Sequence, residues 1–181
     1  MKGGGSKAKG SNFEREVCKK LSLWVTNGKR KDCFWRAAMS GGRATVARKR
    51  GETVRQAGDI TAVAPEGRVL DGFYIECKFY KDLSLESFFL HGKGMLAKFW
   101  RVAVREAASH NKTPWLIAKQ NNRPTLLLTE CQQVGVPLFG QLCARTSTTL
   151  DAGRCDVWLF EDVLKTKRQP QAPQPNVRVR L

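Results

Sequence analysis

Histidine is nearly absent from this 181-residue chain, with two residues, and none of its six cysteines belongs to a CxxC pair. Cys131, Cys143 and Cys155 are evenly spaced, but His91 and His110 stand apart from them and complete no finger or knuckle. The cysteines therefore read as buried free thiols of a reducing compartment rather than zinc ligands. No apolar run is long enough to span a membrane, no lipidation signal occurs, and Met1–Lys7 holds no apolar core of the kind a secretory leader needs. The expectation is a cytoplasmic protein. The Gly-x-x-x-x-Gly-Lys-Ser/Thr string is missing, which argues against P-loop ATP hydrolysis, and nothing calls for a small-molecule cofactor. There is no internal repeat.

Acidic residues are also scarce: 16 Asp+Glu face 32 Lys+Arg, a net charge of +16. So large an excess is self-repulsive, and an acidic polymer relieves it. Nucleic acid is the natural partner; an anionic membrane surface is the competitor, without a membrane-directed segment to support it. Hydrophobic content of 41% suits a globular domain, and the length suits one domain with a sizeable core. Residues 1–10 read as a flexible Gly/Lys arm, 11–168 as the domain, and 169–181, rich in Pro, Gln and Arg, as a disordered tail.

Within the domain, Phe13, Val17, Leu21, Trp24 and Val25 share one arc of a helix expected from about Asn12 to Thr26, capped by Ser11 and closed by Gly28. Cys33–Ala38 reads as a strand. The segment from about 41 to 57 carries Arg43, Arg48, Lys49, Arg50 and Arg55 against Glu52 alone, and reads as a basic loop or hairpin. Strands are expected at Asp59–Val63, Phe73–Phe79, Pro114–Lys119, Thr125–Leu128 and Asp156–Phe160. Helices are expected at Leu83–Leu90, begun by Ser84, and at Met95–Ser109, with a helical turn at Glu161–Leu164. Residues 130–154 are ambiguous. This order predicts an α/β sandwich with a central mixed sheet flanked by helices.

Strand alternation sets Phe73, Ile75, Cys77 and Phe79 on one face, and Tyr74, Glu76, Lys78 and Tyr80 on the other. With Asp59 beside that strand, two carboxylates and an ammonium are suited to hold a divalent cation and hydrolyse a phosphodiester. The bland alternative is an ordinary charged strand face, because a D…ExK string is degenerate. Asp59 directly after Gly58, and Lys78 between aromatics, favour the chemical reading. Glu14 falls inside the apolar arc of its helix at about 100° per residue. A carboxylate there is paired, metal-linked, or part of a Ser11-x-x-Glu14 capping box.

These segments together resemble a known family. Lys9–Glu16 is similar to the opening helix of archaeal-type Holliday junction resolvases of the PD-(D/E)xK nuclease superfamily. Trp35–Gly41, with its Arg-x-x-x-Ser, resembles the next motif. Gly58-Asp59-Ile60 and Ile75-Glu76-Cys77-Lys78 resemble the catalytic pair of strands. The likeness spans about residues 9–80 and extends weakly to Leu128; the stretch between Ser40 and Asp59 is longer and more basic than the family pattern.

The resemblance implies a restriction-endonuclease-like fold, and the chain resembles a phage or mobile-element version of it. It implies Mg²⁺, replaceable by Mn²⁺, on Asp59, Glu76 and the Cys77 carbonyl with Glu14 assisting, Lys78 as the catalytic lysine and Ser40 as an auxiliary polar group. It also implies 5′-phosphate and 3′-hydroxyl products, a two-fold dimer and a role in DNA recombination. Lys7, Lys9, Arg36 and the cations Arg43, Arg48, Lys49, Arg50 and Arg55 are the expected contacts to DNA, branched in the resolvase case. Phe88–Leu90 and Phe99–Trp100 are candidates for either the dimer contact or the core. The competing functions are a nuclease of the same superfamily that nicks, or cuts flaps or plain duplex, and a non-catalytic basic DNA-binding protein.

Overall fold

The computed structural model describes residues 4–37, 57–130, 146–150 and 153–166. Ser40, Arg43, Arg48, Lys49, Arg50, Arg55, Cys131, Cys143 and the tail from Gln169 lie outside the described residues, as does most of the basic loop.

The chain opens with helix α1, Gly4–Val25. It passes through strand β1, Phe34–Arg36, and strand β2, Ile60–Ala62, then a 3₁₀ turn at Pro65–Leu70. Strand β3, Phe73–Tyr80, leads through α2, Leu85–His91, and α3, Met95–Ser109, into β4, Thr113–Gln120. Strands β5, Leu126–Glu130, β6, Thr146–Leu150, and β7, Gly153–Leu159, follow, then α4, Phe160–Lys165. The main sheet has the order β3-β4-β5-β7-β6, with β3 and β4 parallel and the other pairs antiparallel. β1 and β2 form a separate antiparallel pair.

Alternation along the strands feeds two cores. Phe73, Ile75 and Cys77 of β3, Trp115 and Ile117 of β4, and Leu127 of β5 pack with Phe13, Val17, Leu21 and Trp24 of α1 and Phe160 and Val163 of α4. The intervening Leu116, Ala118, Leu126 and Leu128 pack on the other face with Phe88 of α2 and Leu96, Trp100 and Ala103 of α3. The expected mixed sheet between helical layers is what forms. Truncating a fully buried aromatic such as Trp100 or Trp115 costs about 3–5 kcal/mol.

Two expectations at the N-terminus are corrected. α1 does not begin at Asn12 but includes Gly4–Gly10, so those residues are not a separate coil. Ser11 then lies inside the helix, where it caps nothing, and the Ser11–Glu14 capping box does not form. The physical reason is distant. Lys9 Nζ donates to Asn121 Oδ1 at 2.5 Å and sits 3.9 Å over the Phe79 ring. Those tertiary contacts hold the extra turns that a Gly-rich sequence does not favour by itself. At the other end Gly28, at φ +85°, donates its N–H to the Leu23 carbonyl at 2.6 Å, closing the helix where expected.

Ser22 ties α1 to β1. Its hydroxyl donates to the Cys18 carbonyl at 2.8 Å and accepts the N–H groups of Cys33 and Phe34 at 3.0 and 3.2 Å. The ambiguous segment contains β6, paired with β7. The possible dimer contacts divide: Phe88 and Trp100 are core, whereas Phe89 and Leu90 are exposed. No helix among the described residues is long and apolar enough to cross a membrane. Cys18, Cys33, Cys77 and Cys155 are buried free thiols.

Candidate active site

Gly58 brings β2 against the free edge of β3. Its φ is +83°, and a Cβ there would lie 2.4 Å from the Ile75 carbonyl oxygen, so only glycine permits the approach. Asp59 follows and is held from three sides. Its N–H donates to the Ile75 carbonyl at 2.8 Å, and its carbonyl accepts the Ala37 N–H at 2.7 Å. Its side-chain Oδ2 accepts the Cys77 N–H at 2.9 Å. Asp59 is 5% exposed, a buried carboxylate fixed by one main-chain donor, the Cys77 N–H.

Glu76 and Lys78 share the face of β3 that alternation predicts. The Lys78 ammonium is ion-paired with Glu76 Oε1 and lies 4.0 Å from Asp59 Oδ2, so one cation serves both carboxylates. It also lies 5.7 Å from the Phe99 ring centroid on α3. Burial, and then the neighbouring charge of Asp59, push the Glu76 carboxyl above its ordinary value, against the opposing pull of Lys78. For Lys78, burial disfavours the ammonium, but the fields of Glu76 and Asp59 prevail and its pKa is raised. Lys78 is thus a cation at neutral pH.

Tyr74 completes this face and was not among the expected site residues. Its hydroxyl donates to Glu76 Oε2 at 3.4 Å, and its ring stacks on His110 at 6.0 Å. Burial, with the Glu76 and Asp59 charges, raises its pKa and keeps it a donor. The signal was available, since Tyr74 precedes Glu76 by one strand period. What distinguishes it from Tyr80 on the same face is tertiary.

Glu14 is side-chain-buried to 17% exposure and pairs with Arg36, whose Nε lies 2.9 Å from Glu14 Oε2. Two expected roles meet here: the acid facing inward from α1 is neutralised by a cation expected on DNA. Burial first, then Glu14, raise the Cys18 thiol to about 12. At Cys77, burial again dominates, and Asp59, Glu76 and Glu14 all add to the upward shift. All three acids thus act electrostatically on this one buried thiol. Among the described residues, however, no group of three or more His, Cys, Asp or Glu side chains is gathered to hold a metal ion. Lys9 is likewise engaged within the fold, with Asn121 and Phe79, and only the helical backbone of Lys7 is described.

The donor set nonetheless fits a hard divalent cation. Asp59 and Glu76 offer carboxylate oxygens drawn toward one positive centre, the Lys78 ammonium. The Cys77 main chain faces the same edge, because its N–H already meets Asp59. The Cys77 thiol points into the core and takes no part.

No curated protein and no solved structure matches this chain. The family model described as "Phage putative PDDEXK endonuclease" matches residues 5–169, including the C-terminal third that carried no recognisable motif. The buried Asp59, the Glu76-x-Lys78 pair on an adjoining strand and the mixed sheet between helices accord with that match: the chain belongs to this phage endonuclease family of the PD-(D/E)xK superfamily.

Proposed function

We propose that this nuclease is a divalent-metal-dependent, structure-selective DNA endonuclease that cuts four-way junctions in the manner of a Holliday junction resolvase, during recombination in the cytoplasm. The observation that carries the hydrolytic reading is the convergence of Asp59, Glu76 and Lys78 at the free edge of β3. Asp59, Glu76 and the Cys77 carbonyl would hold Mg²⁺ or Mn²⁺, with Glu14 assisting through water. A divalent cation held there would supply positive charge against the phosphate and would make a water a better nucleophile at neutral pH.

The protein's own groups do the rest. Asp59, pinned by the Cys77 N–H, is pre-positioned. Tyr74 orients Glu76 through its hydroxyl. Lys78, charged at neutral pH, stabilises the negative charge growing on the scissile phosphate rather than removing a proton. The net charge of +16 supports a polyanionic substrate. The apolar surface at Phe89, Leu90, Met95 and Val102, between 38% and 67% exposed, supports a two-fold dimer that cuts opposed strands.

The test is cleavage of end-labelled four-way junction, flap, duplex and single-stranded DNA in Mg²⁺ and in EDTA, with Lys78→Ala and Glu76→Ala alongside. Paired symmetric nicks in the junction, dependent on Mg²⁺ and abolished by either substitution, are expected. Equal cutting of every duplex would remove the junction assignment. Binding without cutting, in Mn²⁺ as well, would overturn the catalytic reading.

A further inference from the structure

Beside the acidic edge lies a second surface of different chemistry. A groove of about 310 Å³ between α1 and β1 is lined by Arg15, Cys18, Lys19, Lys31, Asp32 and Phe34–Arg36. Strand alternation sends Phe34 into the core at 2% exposure and turns Trp35 outward at 66%, the most exposed aromatic among the described residues. An indole so exposed forgoes most of its possible burial, so its position is not explained by packing.

The charges around it are one-sided. The acid that lines the groove, Asp32, is already held by Arg30 at 3.0 Å, and Arg36 is paired with Glu14. Arg15 meets Asn12 at 3.0 Å. Among the described residues Lys19 and Lys31 have no ion-pair partner. The groove thus presents an open aromatic face rimmed by Arg15, Lys19 and Lys31, whose charge no ion pair among the described residues offsets. A flat π-surface among cations matches one nucleotide, base on the indole and phosphates on the rim. The volume is at the small end of ligand clefts and admits a nucleotide rather than a helix.

The groove also adjoins the candidate active site. Trp35 pairs with Thr61 in the β1–β2 register, and Ala37, two residues on, donates to the Asp59 carbonyl. At ~3.4 Å per residue, the Trp35 backbone is roughly 7 Å along the strand from that contact. That spacing puts the groove within the reach of a DNA strand whose phosphate lies at Asp59.

We propose that the Trp35 groove is a stacking site for an unpaired base of the DNA substrate, with Arg15, Lys19 and Lys31 holding the adjoining phosphates. The proposal rests on the reading of this protein as a nuclease for branched DNA, and it supplies a preference for bases freed from the stack: bases stacked within an intact duplex do not offer a face to Trp35, whereas a base in a flap or one splayed out at a branch point does.

The test uses the full chain in EDTA, where no cleavage intervenes. A duplex carrying a 2-aminopurine in a short single-stranded flap is compared with a fully paired duplex of the same length. Stacking is expected to quench the 2-aminopurine on binding. Trp35→Ala should abolish the quench and weaken flap binding roughly 5- to 100-fold while leaving the paired duplex within about two-fold. Trp35→Phe should retain most of both signals. Lys19→Ala with Lys31→Ala should lower the salt slope of flap binding by about 1.4. Unchanged flap binding by Trp35→Ala, or an equal loss on both DNAs, overturns the proposal. Thermal melts of both Trp35 variants check that the exposed position leaves the fold intact. Failure of the nuclease reading would show separately, as absent cleavage in Mg²⁺ with the Trp35 effect preserved.

Discussion

Replacing Gly58 by alanine should damage stability and catalysis together, by an amount that a matched control can apportion. Gly58 and Gly28 have nearly the same φ, +83° and +85°. A Cβ on Gly28 meets nothing within 4 Å, whereas a Cβ on Gly58 would lie 2.4 Å from the Ile75 carbonyl oxygen. Alanine in the left-handed region costs about 1–2 kcal/mol at either site. At Gly58 the strand must also retreat, because Cβ atoms essentially never approach within 3.0 Å. That movement breaks the Asp59 Oδ2 bond to the Cys77 N–H, a charge-assisted bond worth about 1.5–3 kcal/mol. Gly58→Ala should therefore lose about 2.5–5 kcal/mol against about 1–2 for Gly28→Ala, read from urea denaturation with unchanged m-values. Cleavage should fall about 100-fold or more in Gly58→Ala under conditions where it remains folded, since a shift of about 1 Å in a positioned group has that effect. Equal destabilisation by the two substitutions would refute the argument that Gly58 exists to admit the β3 edge.

Three further outcomes follow from the site and the helix. Because the folded Glu76 pKa is raised, its contribution to stability is full below the unfolded value of 4.5 and is lost as pH rises through the folded one. Cleavage, needing the carboxylate, should fall at acid pH as Glu76 takes up a proton, and Tyr74→Phe, which removes a donor to the charged form, should move this acid limb to higher pH in a pH–rate profile. Mg²⁺ at 100 times its dissociation constant should stabilise the protein by about 2.7 kcal/mol in thermal melts, and Asp59→Asn should remove most of that gain; an unchanged shift would place the ion elsewhere. Gly10→Ala, with open space around its Cβ, should raise Tm by about 2–4 °C if α1 runs through residue 10, and should have no such effect were Ser11 the cap.

Much of the site was legible because it is written in short-range periods. The two-residue repeat of β3 separates Glu76 and Lys78 from Phe73, Ile75 and Cys77 without any tertiary information. α3 is recovered at both ends, since an uninterrupted amphipathic run lies between Gly94 and His110. The inward bias of Glu14 was also readable from helical angles, but its partner Arg36, 22 residues away, was not. The start of α1 is not legible locally for the same reason: a Gly/Lys segment has little helical preference, and Asn121, 112 residues from Lys9, supplies what local propensity lacks. Tyr74 was visible on the right face, yet nothing local marked it as the residue that meets Glu76.

The sequence by itself thus determined the chemical inventory: a basic chain, two carboxylates and a lysine on apposed strand segments, and motifs shared with PD-(D/E)xK nucleases. Only the tertiary structure decided which of these groups touch. It set Asp59 on the Cys77 N–H, placed Lys78 between two acids, committed Lys9 and Arg36 to contacts within the fold, and left Trp35 open beside uncompensated cations. The physical reason is that side-chain direction along a strand or helix is a local property of the backbone. Strand neighbours, edge contacts and residual exposure depend instead on how segments distant in the chain share a common core.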